Sequence, residues 1–437
     1  MAILKPRKWS AGRRTRLKRK RRRRNIIRRS IAGSGKGRRL LIGRRRRGLA
    51  SGHRRRIRVR RHRLPILPAG VNLIGTGRAE SGIGESLRAA ARALTAAEVP
   101  FGIIEIPGSP SRTSDLSWMH KEMSEPVFRV NVLHMNADFL KPYQMHNGQV
   151  FHNHLNIGVW HWELSDFPNE WCDSFRLVHE VWAPSQFVLQ SIAQKSPVSV
   201  VHIPHSIEVR VPNELTRAHF GLPHDRFLFL SMYDTFSFAE RKNPLAAIEA
   251  FKRAFDRNDP RVGLVIKVNN PHADIISSAG IELAKLRGAA EGWPNIHLME
   301  RVLDRREINA LFSLTHSYVS LHRSEGFGLP LAEAMFLGKP VIGTYYSGNV
   351  DFMNHDNSCP VQYRLIPVGQ DYGPYKAYQV WADPDIEQAA HYMRRLVDDH
   401  PYYQMISVQG AHTIYSQYSP AAVGQRIRQR LQQLHVL

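Results

Sequence analysis

The sequence predicts two doubly wound α/β domains preceded by a basic tail. Three observations carry this reading. Strand-like and helix-like segments alternate through both halves of residues 70–437. A glycine-dense turn follows the first strand and opens a helix, which is a βαβ start. Charge is divided along the chain. Residues 1–63 hold 29 Lys and Arg with no Asp or Glu, leaving 33 basic and 37 acidic residues, a net of −4, for the remainder.

The formal net charge of +25 therefore belongs to the tail. This excludes a uniformly basic nucleic-acid-binding domain. Residues 1–68 are expected to be a disordered tail. Basic runs at 18–24, 44–47 and 54–56 repel one another, and few apolar residues separate them. Three uses stay open: gripping anionic phospholipid head groups, at roughly 1 kcal/mol per basic residue; unspecific nucleic-acid binding through counterion release; or an organellar transit segment, which the long Arg runs fit poorly. An upstream extension without a role is equally compatible with the composition.

The remaining chain, roughly 370 residues, is long for one core and suits two domains. Residues 69–210 form the expected first domain, 211–415 the second, and 416–437 a final helix. The cysteines are Cys172 and Cys359, so no disulfide framework is expected and a reducing compartment is the default. No uncharged apolar run reaches the ~18 residues of a membrane span. No apolar segment follows the N-terminal charges as in a signal peptide.

In the first domain, residues 71–74 read as a strand. Gly75, Gly77, Gly82 and Gly84 follow, then a helix with Leu87, Ala91 and Leu94 on one face. Further strands are expected at 101–106, 130–133, 157–160, 177–183 and 198–203. The polar stretch 208–225, with Pro212 and Pro223, is the expected linker. The second domain begins with a strand at 227–232. Asn243 and Pro244 read as the N-cap and first position of the next helix, which buries Leu245, Ile248, Phe251 and Phe255. Strands are expected at 262–268, 296–299, 318–321 and 340–343, and helices at 306–312 and 329–337. Asp383, Pro384, Asp385 and Glu387 read as a helix start with Asp383 as N-cap, not as a metal-binding Asp-x-Asp.

Three groups of residues suggest chemistry. Gly75-x-Gly77 lacks the third glycine of a dinucleotide fingerprint, because Glu80 stands there; Glu105 imitates the ribose-binding acid. Glycines before a helix N-terminus still let backbone amides approach an anion. Arg241 and Lys242 precede a helix start, where the macrodipole disfavours cations, so a diphosphate is a better reason for them than local stability. Glu325 and Glu333 lie in Ser324-Glu325-Gly326-Phe327-Gly328-Leu329-Pro330-Leu331-Ala332-Glu333, flanking a glycine turn. Ionised carboxylates only accept hydrogen bonds, which suits vicinal hydroxyls of a ribose and a sugar.

That last segment resembles the Glu-x7-Glu signature of retaining, nucleotide-sugar-dependent glycosyltransferases of the GT-B fold, most like family 4. The resemblance covers residues 70–437. It implies two Rossmann-like domains facing a cleft, with the donor held by the second. It implies that Glu333 holds the ribose hydroxyls and Glu325 the transferred hexose, beside the amides of Gly326, Phe327 and Gly328. Arg241 and Lys242 match the basic pair on the donor diphosphate. Gly82 and Gly84 match the glycine loop of the acceptor domain. No metal cofactor is implied. Expected partners are the nucleotide sugar, a glycan or lipid-linked acceptor, and an anionic membrane surface for the tail. The expected place is the cytoplasm, at the inner face of the membrane. Ser347-Gly348-Asn349-Val350-Asp351 departs from the commoner Gly-Gly-x-x-Glu text.

On the acceptor side, residues 151–163 are dense in His and Trp. Trp162 beside Glu163 and His161 reads as a sugar platform, with core aromatics as the competing reading. His154 and His161 are both candidates for a histidine near the reacting sugar, His154 being grouped with the catalytic residues Glu325, Arg241 and Lys242. Rival functions are a polyanion-binding protein led by the tail, and another GT-B activity such as a phosphorylase or epimerase.

Overall fold

A computed structural model describes residues 67–269 and 278–437. The expectations for the tail therefore fall outside the described residues. Two six-stranded parallel sheets organise the chain.

The first sheet is built from β1 (Val71–Gly75), α1 (Gly82–Ala96), β2 (Phe101–Glu105), β3 (Val130–His134), α2 (Ala137–Asn147), β4 (Leu155–Val159), β5 (Glu180–Ala183), α3 (Gln186–Ala193) and β6 (Ser199–His202). Its strand order is β2-β1-β3-β4-β5-β6. Helices cover both faces of such a sheet, so central strands such as β1 are buried throughout. The polar exceptions pair with one another. Asn72, Asn131 and Asn156 are in register on β1, β3 and β4 and hydrogen-bond side chain to side chain at 2.8 and 2.9 Å. The strand expected from 177 starts at Glu180, because residues 169–177 coil into a 3-10 segment.

The second sheet follows β7 (Phe227–Asp234), α4 (Ala239–Lys242), α5 (Pro244–Ala254), β8 (Val262–Asn269), α6 (Ser278–Ala290), β9 (Ile296–Met299), α7 (Arg305–Leu314), β10 (Ser317–Ser320), α8 (Leu329–Phe336), β11 (Val341–Thr344) and β12 (Cys359–Val361). Its order is β12-β11-β10-β7-β8-β9. The chain reverses its progress across this sheet between β7 and β10, which makes a topological switch point at their carboxyl ends. The corresponding point of the first sheet lies between β1 and β3.

A hairpin of β13 (Tyr363–Pro367) and β14 (Val380–Pro384) follows, then α9 (Ile386–Asp398), α10 (His400–Gln417) and α11 (Pro420–Gln433). The helix start expected at Asp383 is displaced by two residues. Asp383 and Pro384 still pair in β14, and Asp385 caps α9 by accepting from the Gln388 amide at 3.0 Å. Asn243 precedes α5 in a left-handed conformation, φ 52°, and its side chain donates to the Leu321 carbonyl instead of capping. The final helix, α11, returns to the first sheet and lies on α1. Gly424 permits the approach, since a Cβ there would stand 2.2 Å from the Ala93 carbonyl oxygen. Arg428 donates to the Ala97 carbonyl at 2.7 Å, and Arg430 donates to Glu180. No helix among the described residues is long and apolar enough to cross a membrane.

Candidate active site

The second sheet's switch point brings two distant segments together. Arg241 and Lys242 end α4, after β7, and Glu325 lies in the loop after β10. The Lys242 ammonium donates to one oxygen of Glu325. The Arg241 guanidinium stands 3.6 Å from the other and donates to the Ser324 carbonyl at 2.8 Å. Burial pushes the Glu325 carboxyl up, but Lys242 and Arg241 outweigh it and hold it down at about 2. Tyr375, Glu163 and Glu325 keep the buried Arg241 firmly charged against its desolvation.

Backbone geometry fixes the loop. The Glu325 amide donates to the Ser347 hydroxyl at 2.7 Å, and the Gly348 amide donates to the Glu325 carbonyl at 2.9 Å. A Cβ on Gly348 would stand 2.2 Å from the Gly326 oxygen, so this close approach requires glycine. Gly328 turns the chain into α8 with φ 94°. Phe327 is buried among Phe352, Tyr418 and His205. Glu333 lies on α8, 4% exposed, and its carboxylate takes both terminal nitrogens of Arg305.

The first domain closes against this loop. Ser185, the N-cap of α3, donates its hydroxyl to the Gly326 carbonyl at 2.6 Å. The Gln186 amide donates to Asp351 at 2.8 Å, and Ser324 donates to the Glu163 carbonyl. Glu163 thereby joins the cationic cluster: its carboxylate accepts from the Tyr375 hydroxyl at 2.9 Å and stands 3.9 Å from Arg241.

Other acceptor-side candidates fare differently. Trp162 does not form an open platform. It is 1% exposed, donates its indole N–H to the Asp166 carbonyl at 2.9 Å, and packs against Trp171 and Tyr375. The core reading of this aromatic is the one the structure supports. His154 is not brought to the cluster. It precedes β4, at the amino edge of the sheet, where its Nδ1 meets the Phe128 carbonyl at 2.8 Å. Strand direction decides this, since the cleft lies at the carboxyl ends. His161 follows β4 at the correct edge. Its Nε2 lies 3.0 Å from Nε2 of His205, with the rings stacked, and His134 closes the group from the end of β3. Burial pushes His161 down to about 4 and His134 to about 3, so both are neutral.

The glycine loop carries its own counter-charge. Glu105 accepts from the Arg78 amide at 3.2 and 3.3 Å. The acid that imitates a ribose ligand in the sequence thus occupies loop amides. Gly84 lets the loop fold on α1, as a Cβ there would lie 2.1 Å from the Ala79 oxygen; one at Gly82 would meet nothing within 4 Å. Sequence reasoning missed Tyr375, His205 and Arg305. Each joins the site through contacts with no local motif.

Residues 214–412 match the family model described as Glycosyl transferases group 1. A curated relative, "Putative glycosyltransferase 48" of Sulfolobus islandicus filamentous virus, is 32% identical over 96 residues, or 22% of this chain. The match spans 30% of that relative's length. Sucrose-phosphate synthase from Thermosynechococcus elongatus is 14% identical, with a TM-score of 0.61 over 84% of this chain and 99% of that one. HepE of Anabaena, solved with UDP-glucose, is 12% identical, with a TM-score of 0.62 over 84% of this chain and 100% of that one. These likenesses establish the fold as the two-domain GT-B arrangement.

Proposed function

We propose that this chain, whose residues 214–412 match the family model of the group 1 glycosyl transferases, moves a hexose from a nucleotide diphosphate sugar to a glycan or glycolipid acceptor with retention of configuration. The observation that carries the reading is Glu325 held ionised between Lys242 and Arg241, with Glu333 eight residues on along one helix start. Glu333 accepts the two ribose hydroxyls. Glu325 accepts hydroxyls of the hexose, which orients the anomeric carbon. Lys242 and Arg241 lie where the diphosphate develops charge as the glycosidic C–O bond breaks, and stabilise it electrostatically.

No side chain needs to serve as nucleophile. The departing phosphate oxygen takes the proton of the acceptor hydroxyl while that oxygen bonds the anomeric carbon on the same face. Neutralisation of the diphosphate is assigned to the two cations, without a metal cofactor. Closure of the two domains over the bound donor is assigned the exclusion of water from the reacting centre. The UDP-glucose bound by HepE supports a nucleoside diphosphate hexose as donor. The acceptor is placed among surface-polysaccharide precursors, and the basic residues 1–63 are assigned to anionic membrane lipid at the cytoplasmic face.

The test is a panel of nucleotide sugars with glycan and lipid-linked acceptors. Nucleoside diphosphate released only when an acceptor is present, with the donor's anomeric configuration kept in the product, supports the reading. An inverted product overturns retention. Sugar 1-phosphate formed from a glycan and inorganic phosphate, with no nucleoside diphosphate released, overturns transfer in favour of a phosphorylase. Vesicle sedimentation of the full chain and of a version starting at residue 64 tests the membrane role, which fails if both bind equally.

A further inference from the structure

Arg305 opens α7 directly after its N-cap, Asp304, where a helix disfavours a cation. Its partner explains the position. Its two terminal nitrogens reach the two oxygens of Glu333, the longer contact being 3.3 Å. A ribose presents two adjacent O–H donors, and a carboxylate that receives both must offer the same two oxygens. The guanidinium fork and the ribose therefore compete for one acceptor.

A displaced guanidinium needs another counter-charge, since a charge left unpaired in a partly buried site is costly. Glu85, on α1 of the first domain, lines the same cavity as Arg305, together with Asp115, and is 7% exposed. Arg88 donates to Glu85 at 3.0 Å and Arg92 at 2.5 Å. Arg88 also holds the glycine loop, donating to the carbonyls of Gly77 at 2.7 Å and Ala79 at 2.9 Å. A cavity of about 910 Å³ is lined by Arg305, Glu85, Arg88 and Arg92, which leaves the guanidinium room to move.

We propose that Arg305 is a positioning residue that guards Glu333: the donor ribose displaces its guanidinium, which then pairs with Glu85 across the cleft. Donor occupancy on the second domain so adds an ionic contact to the first, next to the residue that holds the glycine loop. This rests on the assignment of Glu333 to the ribose.

Calorimetry of the full chain with UDP, GDP and ADP tests it. With the best-binding diphosphate, Arg305→Gln should tighten binding about fivefold, because the competing state no longer taxes the affinity. Arg305→Lys, which cannot fork, should lie between Gln and wild type. Glu85→Gln should weaken binding, and the double variant should match Arg305→Gln alone. Tighter binding is not an outcome that structural damage produces. Weaker or unchanged binding by Arg305→Gln overturns the proposal, as does a Glu85→Gln loss that persists in the double variant. Should Glu85→Gln fail to fold, the two Arg305 variants decide. Glu333→Gln separates the layers. If it leaves diphosphate affinity unchanged, the ribose assignment fails and the guard falls with it; if it weakens binding while Arg305→Gln does not tighten it, the guard alone fails.

Discussion

Lys242 donates to Glu325 although 83 positions separate them, because β7 and β10 are neighbours at the switch point of the second sheet. Glu325 is thus an ionised acceptor next to two cations, and the proposed function assigns it to the transferred hexose and not to the nucleotide. Glu325→Gln should slow transfer about 100-fold or more, the scale of removing a group that acts mainly in the transition state. Nucleoside diphosphate affinity should change far less. Steady-state rates paired with calorimetry check this. A normal rate, or a loss confined to diphosphate binding, would remove Glu325 from the sugar.

Lys242 and Arg241 are not equivalent. Arg241 is 4% exposed and also holds the Ser324 carbonyl, so its loss disturbs the loop itself. Among the described residues the Lys242 side chain donates to Glu325 alone, and Arg241 remains beside that carboxylate when Lys242 is removed. Lys242→Ala should therefore fold and should weaken diphosphate binding about 10- to 100-fold, the value of one charge-assisted hydrogen bond. Equal affinity by calorimetry would take Lys242 off the diphosphate.

Much of this arrangement was legible in the sequence where the chemistry is contiguous. Central strands such as β1 and β8 are buried on both faces and read as apolar runs. Glu325 and Glu333 are eight residues apart in one motif. The hairpin of β13 and β14 escaped notice because β13 is largely exposed, so no apolar period marks it. Trp162 illustrates a second limit: alternation of aromatic and polar residues is the same for a cleft wall and a core strand end. His154 illustrates a third. Its type suited the role, but which edge of the sheet it joins depends on where β4 begins. Pairs such as Tyr375 with Glu163, 212 positions apart, exist only after the domains meet.

Gly348 offers a test of the loop that changes no charge. Its missing side chain lets the 347–351 segment lie against the Gly326 oxygen and the Phe327 amide, at 2.2 and 2.7 Å from where a Cβ would be. These are backbone atoms, which cannot rotate away. Gly348→Ala should push the Glu325 loop outward at a cost of about 1–3 kcal/mol. It should also reduce transfer about 100-fold by misplacing Glu325. Thermal melts and steady-state rates measure both. Wild-type activity in this variant would show that the loop's close packing is not needed for catalysis.

The histidine group makes stability depend on pH in a defined window. His161 is held at about 4 and His134 at about 3, with burial as the leading cause in both, and His205 is lowered in the same way. Unfolded histidines titrate near about 6.5. Below that value the unfolded chain binds protons that the folded one refuses, so stability is complete above about 6.5 and falls as pH drops toward 4 and 3. Between pH 7 and pH 5 the loss is on the order of 2 kcal/mol for each histidine kept neutral. Glu325, held at about 2, loses its own contribution only below about 4.5, so it does not enter the interval from pH 7 to pH 5. Urea unfolding midpoints should therefore decline between pH 7 and 5. Replacing His205 by Gln should make that decline shallower, because one refused proton is removed. A midpoint that is flat from pH 7 to pH 5, or a slope unchanged by His205→Gln, would show that these imidazoles take up protons as readily folded as unfolded.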